Sequence, residues 1–175
     1  MAKRSKKQQI EDERKILAEL QKNSNENIDT IAKHCGLSKQ QVSKTIKKLE
    51  KNHMIWGYTA IVDEEKKGLS HFIMLITKNM KQLDKKIKIG IDSIKIEDFT
   101  STLDITIESS CLVHGTYDWV ISFTAPNIII AKKFCDSFYN GFPGIIKHID
   151  LHQTLFFVRK QYIFNPDRKN LSELL

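Results

Sequence analysis

Three observations predict an α+β chain of two domains. Apolar residues recur at helical spacing up to about residue 52 and at strand spacing from residue 71 onward, and the positive charge sits in the first part. Residues 1–60 hold 13 Lys and Arg against 7 Asp and Glu, or +6, whereas residues 61–175 hold 15 against 14, or +1. A basic module joined to a nearly neutral one is the charge footprint of a nucleic-acid-binding domain attached to a domain with another task.

Residues 1–9 (MAKRSKKQQ) read as a basic, polar tail. In residues 10–22, Ile16, Leu17 and Leu20 form an apolar stripe, with Glu11, Asp12 and Glu13 expected in the first turn and Lys22 in the last, oriented with the helix macrodipole. Residues 23–26 form a loop. Asn27 then caps a short helix with apolar Ile28, Ile31, Ala32 and Cys35, its side chain expected to accept from the Thr30 N–H, and Gly36 ends that helix. Ser38 and Gln41 have capping-box spacing at the start of the next helix, whose apolar residues Val42, Ile46 and Leu49 are four and three apart.

The other face of this helix carries Lys39, Gln40, Gln41, Ser43, Lys44, Lys47 and Lys48. No acidic residue lies between Asp29 and Glu50. A lysine-studded amphipathic helix is commonly just a solvated surface. Two capped helices about a glycine-centred turn are more specific: they form a helix-turn-helix, whose second helix enters the major groove of double-stranded DNA with its N-terminal residues at the base edges. The seven residues are therefore the expected DNA-binding set. Arginine occurs only at positions 4, 14, 159 and 168, so the helix has no guanidinium fork for guanine. Gln40 becomes the expected base reader, through adenine N6 and N7, because Gln41 is diverted into the cap.

Residues 55–63 (IWGYTAIVD) are β-branched and aromatic and read as a strand, followed by a charged, glycine-ended hinge at 63–68. Residues 71–77 are a strand, Leu83, Ile87, Ile91 and Ile94 mark a helix face, and residues 105–124 form a hairpin turning at Gly115. Pro126 and Asn127 open a helix with Ala131, Phe134, Cys135 and Phe138 on one face, and residues 145–158 form a last long strand. The order βαββαβ predicts a ferredoxin-like sandwich. The expected domains are 1–62 for DNA binding with its connecting strand, 63–68 as hinge, 69–165 as the sandwich and 166–175 as a polar tail.

Composition excludes several classes of function. Cys35, Cys111 and Cys135 are odd in number and widely spaced in apolar patterns, so neither a disulfide framework nor a metal site is expected. No Gly-rich phosphate loop and no catalytic constellation is present, so no cofactor and no enzymatic activity are expected. No stretch approaches the roughly 18 apolar residues of a membrane span, and the basic start has no apolar run behind it. The expected location is the cytoplasm, away from membranes.

The sequence resembles the Lrp/AsnC, or feast/famine, family of transcription regulators. The resemblance rests on Gly36-Leu37-Ser38, on Val42, Ile46 and Leu49-Glu50, on residues 55–63, on Gly115-Thr116-Tyr117-Asp118, and on Phe142-Pro143-Gly144, together spanning nearly the whole chain in order. It implies an N-terminal winged helix-turn-helix and a C-terminal ligand-sensing (RAM-type) domain that dimerises through its sheet, with dimers assembling into octamers. It also implies that Gly115, Tyr117 and Asp118 bind a small effector, commonly an amino acid. The chain departs from the family at His114, often threonine there, and in the length of residues 81–102. An alternative with the same architecture is a tetrapyrrole side-chain decarboxylase, for which His71, His114, His148 and His152 would be the residues to consider. The split charge argues against it, since an enzyme gains nothing from a basic N-terminal domain with a lysine-lined helix.

Overall fold

The computed structural model describes residues 5–79, 100 and 103–167. The chain forms two compact units, Met1–Ile61 with Val158–Leu175, and Val62–Phe157.

In the first unit, α1 (Lys6–Lys22), α2 (Ile28–Cys35) and α3 (Lys39–Lys51) pack around Ile16, Ile31, Ala32, Cys35 and Val42, with Leu20, Leu37 and Ile46 against them. Helix α1 begins four residues before the expected start, because Ser5 and Gln8, in the expected tail, form a capping box. Its first turn consequently contains no acidic residue, and the expected macrodipole arrangement at that end is absent. Residues 55–62 form no strand among the described residues, contrary to expectation. β-propensity describes a fit to a pleated sheet and needs a neighbouring strand; here Trp56 is 95% exposed.

The second unit opens with a single 3₁₀ turn, Glu65–Lys67, ended by Gly68. Strands β1 (Ser70–Lys78), β2 (Thr106–Leu112) and β3 (Trp119–Ala125), helix α4 (Ile128–Gly141) and strand β4 (Ile146–Gln153) follow. The antiparallel sheet has the order β2-β3-β1-β4, the strand order of the expected ferredoxin-like sandwich. The helix expected around Leu83, Ile87, Ile91 and Ile94 lies outside the described residues.

Alternation along the strands sends Phe72, Met74, Ile76, Trp119, Ile121 and Phe123 to one face, where α4 supplies Ala131, Phe134, Cys135 and Phe138. Asn127 Oδ1 starts α4 by accepting from the N–H groups of Ile129 and Ile130, both at 3.0 Å. Trp119 is buried on the helix side, and its indole N–H donates to Ser110 Oγ at 2.8 Å. The opposite face carries Ile73, Leu75, Val120, Ser122, His148, Asp150 and His152, and no described helix covers it. β4 stops five residues short of the expected end. The Thr154 N–H still donates to His71 O at 2.9 Å, and the chain then leaves the sheet.

From Val158 the chain belongs to the helical unit, where β5 (Arg159–Lys160) and β6 (Ile163–Phe164) make a small hairpin. The expected sandwich, 69–165, thus extends past this division, and the hairpin is not among the expected elements.

Candidate nucleic-acid interface

The geometry of the α2–α3 pair is fixed by local backbone chemistry. Asn27 Oδ1 accepts from the Asp29 N–H at 2.9 Å, one residue earlier than expected, and opens α2. Gly36 adopts φ 66° and ψ 37°, the left-handed conformation in which a side chain is strained, and the Leu37 N–H reaches back to Ala32 O at 2.9 Å. The chain therefore turns within two residues and re-enters a helix at Ser38. There the Gln41 N–H donates to Ser38 Oγ at 3.3 Å, and the Ser38 N–H donates to Gln41 Oε1 at 2.9 Å. Val42 and Leu49 are buried and Ile46 packs against the core, which leaves Lys39, Gln40, Lys44, Lys47 and Lys48 exposed.

These side chains are not equivalent. Lys39 Nζ lies 2.6 Å from Asp29 Oδ2 on α2, and Lys48 Nζ lies 2.6 Å from Glu13 Oε1 on α1. Both ammonium groups are engaged within the unit, the second tying α3 to α1. Lys44 and Lys47 are exposed and make no ion pair with any described residue. Gln40 is exposed at the first turn, Gln41 is held by the cap, and Ser43 is half-buried. Exposed ion pairs of this type contribute about 0–1 kcal/mol and exchange readily for other partners. Lys39 is thus still positioned to meet an anion, whereas Lys44 and Lys47 have no competing ion pair among the described residues.

The tip of the β2–β3 hairpin brings two of its three expected effector residues into internal contacts. Asp118 Oδ2 accepts from the Lys78 N–H at 2.8 Å, and its Oδ1 lies 3.7 Å from Lys78 Nζ. Tyr117 hydrogen-bonds to Asp150, which raises the phenol's pKa. Asp150 is in turn held below the usual carboxylate range, chiefly by His148 Nε2 at 2.9 Å and also by Tyr117. Gly115 is exposed at the tip.

The histidines do not converge. His71 is buried, with Nδ1 2.6 Å from Thr154 Oγ1, Nε2 3.4 Å from Glu108 Oε2, and its ring against the edge of Phe157. His148 and His152 have the i, i+4 spacing that would converge on a metal from a helix. On β4 the same spacing places them about 13 Å apart along the strand. No group of His, Cys, Asp and Glu among the described residues could hold a metal ion, and no helix among them is long and apolar enough to cross a membrane.

Comparison with known proteins agrees with this geometry. Residues 13–55 match the family of winged helix-turn-helix DNA-binding domains. The chain is 27% identical over 133 residues to the HTH-type transcriptional regulator FL11 of Pyrococcus abyssi, covering 76% of this chain and 81% of that protein. It superposes on an AsnC family transcriptional regulator from Agrobacterium tumefaciens with a TM-score of 0.65 at 18% identity, covering 94% of this chain and 98% of that one. The transcriptional regulator NMB0573 of Neisseria meningitidis, solved as a complex with L-Met, gives a TM-score of 0.62 at 17% identity over 94% of this chain and 97% of that one. All three of these proteins are named as transcriptional regulators.

Proposed function

We propose that this chain, a transcription regulator of the Lrp/AsnC type with a DNA-binding helix-turn-helix, reads double-stranded DNA through α3 as a homodimer. The observation that carries the reading is the capped α3, whose outward face presents Gln40, Lys44 and Lys47 without an ion-pair partner among the described residues, on the unit (1–61 with 158–175) that holds 17 Lys and Arg against 9 Asp and Glu, or +8, where residues 62–157 hold 11 against 12, or −1. Lys39, Lys44, Lys47 and Lys48 meet phosphates, and Gln40, helped by Ser43, reads adenine. Gln41 contributes mainly by fixing the helix start.

Dimerisation uses the sheet face opposite α4, where Ile73, Leu75 and Val120 lie among polar neighbours, and dimers assemble further into an octamer. The protein acts in the cytoplasm. A small-molecule effector of the amino-acid class acts at Gly115, Tyr117 and Asp118; the L-Met complex of the Neisseria relative supports this part. Since Tyr117 and Asp118 already hold Asp150 and Lys78, an effector there has to compete with those contacts.

Selection of bound sequences from a random pool tests the reading. The expected consensus is A·T-rich and palindromic, with half-sites one helical turn or a multiple apart. Gln40→Ala is expected to cost about 1–3 kcal/mol at one adenine. A G·C-rich consensus, or one that Gln40→Ala leaves unaltered, removes Gln40 as reader.

A further inference from the structure

The C-terminal hairpin β5–β6 is part of the helical unit although about a hundred residues separate it from α3 in sequence. It is closed by the Asn165 N–H donating to Val158 O at 3.1 Å, and Gln161 makes its turn with φ 51°. Gln21 Nε2 donates to the Tyr162 hydroxyl at 3.0 Å, which fastens the hairpin to the C-terminal end of α1. Only the short connection through Asn23 and Asn27 separates that end from the start of α2, and in a helix-turn-helix the first helix of the pair crosses the DNA backbone. The hairpin is thus anchored at the end of α1 from which the chain runs toward DNA.

Its chemistry suits phosphate. Residues 158–164 (VRKQYIF) contain no acidic side chain. Arg159 pairs in register with Phe164, and its guanidinium carbon lies 3.8 Å from the centre of that ring. A guanidinium that rests on an aromatic ring still has its in-plane N–H groups to donate, and two of them can form parallel hydrogen bonds to a phosphate. Arg159 is exposed and makes no ion pair with a described residue. Residues 55–62, which directly follow α3 and where a wing hairpin would ordinarily form, make no hairpin among the described residues.

We propose that β5–β6 is the wing of this DNA-binding unit, and that Arg159, braced on Phe164, grips the phosphate backbone beside the groove occupied by α3. This rests on the reading that α3 binds DNA. The wing is supplied by the far end of the chain, after the sheet unit is complete.

The test uses the full-length protein and one DNA fragment that it binds, comparing Arg159→Ala, Arg159→Lys and Lys47→Ala. For each, affinity is measured against salt, the cleavage footprint of a hydroxyl radical is mapped, and the mass is taken from light scattering. Arg159→Ala is expected to lower the magnitude of the log K against log salt slope by about 0.9 per protomer and to lose protection at the outer edges of the footprint. Arg159→Lys should keep the slope, because the charge remains, but bind more weakly because the stacked fork is gone. If Arg159→Ala leaves slope and footprint unchanged while Lys47→Ala flattens the slope, the wing is refuted and the α3 reading stands. If Arg159→Ala changes the mass of the protein, the hairpin is a protein contact and the wing is likewise refuted. If neither alanine variant changes the slope, the α3 reading falls and the wing with it.

Discussion

The two units of this molecule are held together by different means. The helical unit has a small aliphatic core of Ile16, Ile31, Ala32, Cys35 and Val42, without an aromatic ring. Its geometry is set by backbone caps at Ser5, Asn27, Gly36 and Ser38. The sheet unit is held by rings brought together from distant segments: Phe134 meets Phe123 at 4.8 Å and Phe138 at 5.0 Å, and Trp119 meets Phe138 at 5.5 Å. A cap acts over three or four residues, whereas a ring cluster acts across the whole unit. The recognition surface is therefore built by short-range chemistry and the platform by long-range packing.

The largest expected effect breaks the platform. Phe134 is fully buried between two rings, and Phe134→Ala should cost about 3–5 kcal/mol. Each unit has its own tryptophan: Trp119 is buried in the sheet unit and Trp56 is 95% exposed in the helical one. Denaturant titration followed by blue-shifted Trp119 emission should shift strongly in this variant, while the helical signal shifts much less. Equal shifts in both would mean that the units unfold as one body, and the contrast between them would be lost.

A smaller effect probes the caps. An added Cβ at Gly36 would meet nothing within 4 Å, so Gly36→Ala isolates the cost of a left-handed residue, about 1–2 kcal/mol. Thermal melting of the helical signal should register that loss, and DNA affinity should fall because the angle between α2 and α3 depends on this residue. Unchanged melting would show that packing rather than the turn sets the pair.

The smallest effect contrasts the core of the sheet unit with its edge. Burial pushes the Cys135 thiol up to about 11, while Cys111 is exposed at the edge of the sheet. Near pH 8 an alkylating reagent should label Cys111 rapidly and Cys135 only on unfolding. A raised folded-state value leaves stability intact below the unfolded value near 9 and removes it as pH rises from there toward about 11. Cys135→Ser should abolish this alkaline component; rapid labelling of Cys135 in the folded protein would contradict the burial.

The same division explains what was legible in the sequence. Asn27, Gly36, the Ser38–Gln41 box and the Asn127 start of α4 all lie within four residues of what they control, so spacing revealed them. The core face of α4 was legible for the same reason, since Ala131, Phe134, Cys135 and Phe138 follow one helical period. Residues 55–63 misled because their side chains favour a sheet that the single chain does not supply. The end of β4 and the β5–β6 hairpin were missed because both depend on where the chain crosses from one unit to the other. The internal ion pairs of Lys39 and Lys48 were likewise invisible, their partners lying ten and thirty-five residues away.

The most direct test of the central claim, that α3 meets DNA through Lys44 and Lys47, which form no ion pair among the described residues, is the salt dependence of binding by the full-length protein and a Lys44→Ala/Lys47→Ala variant. A dimer that neutralises on the order of six phosphates should show a slope of about −5 in log K against log salt, and removing four ammonium groups per dimer should flatten it to about −1 to −2. A double variant that keeps the wild-type slope and affinity would contradict the account.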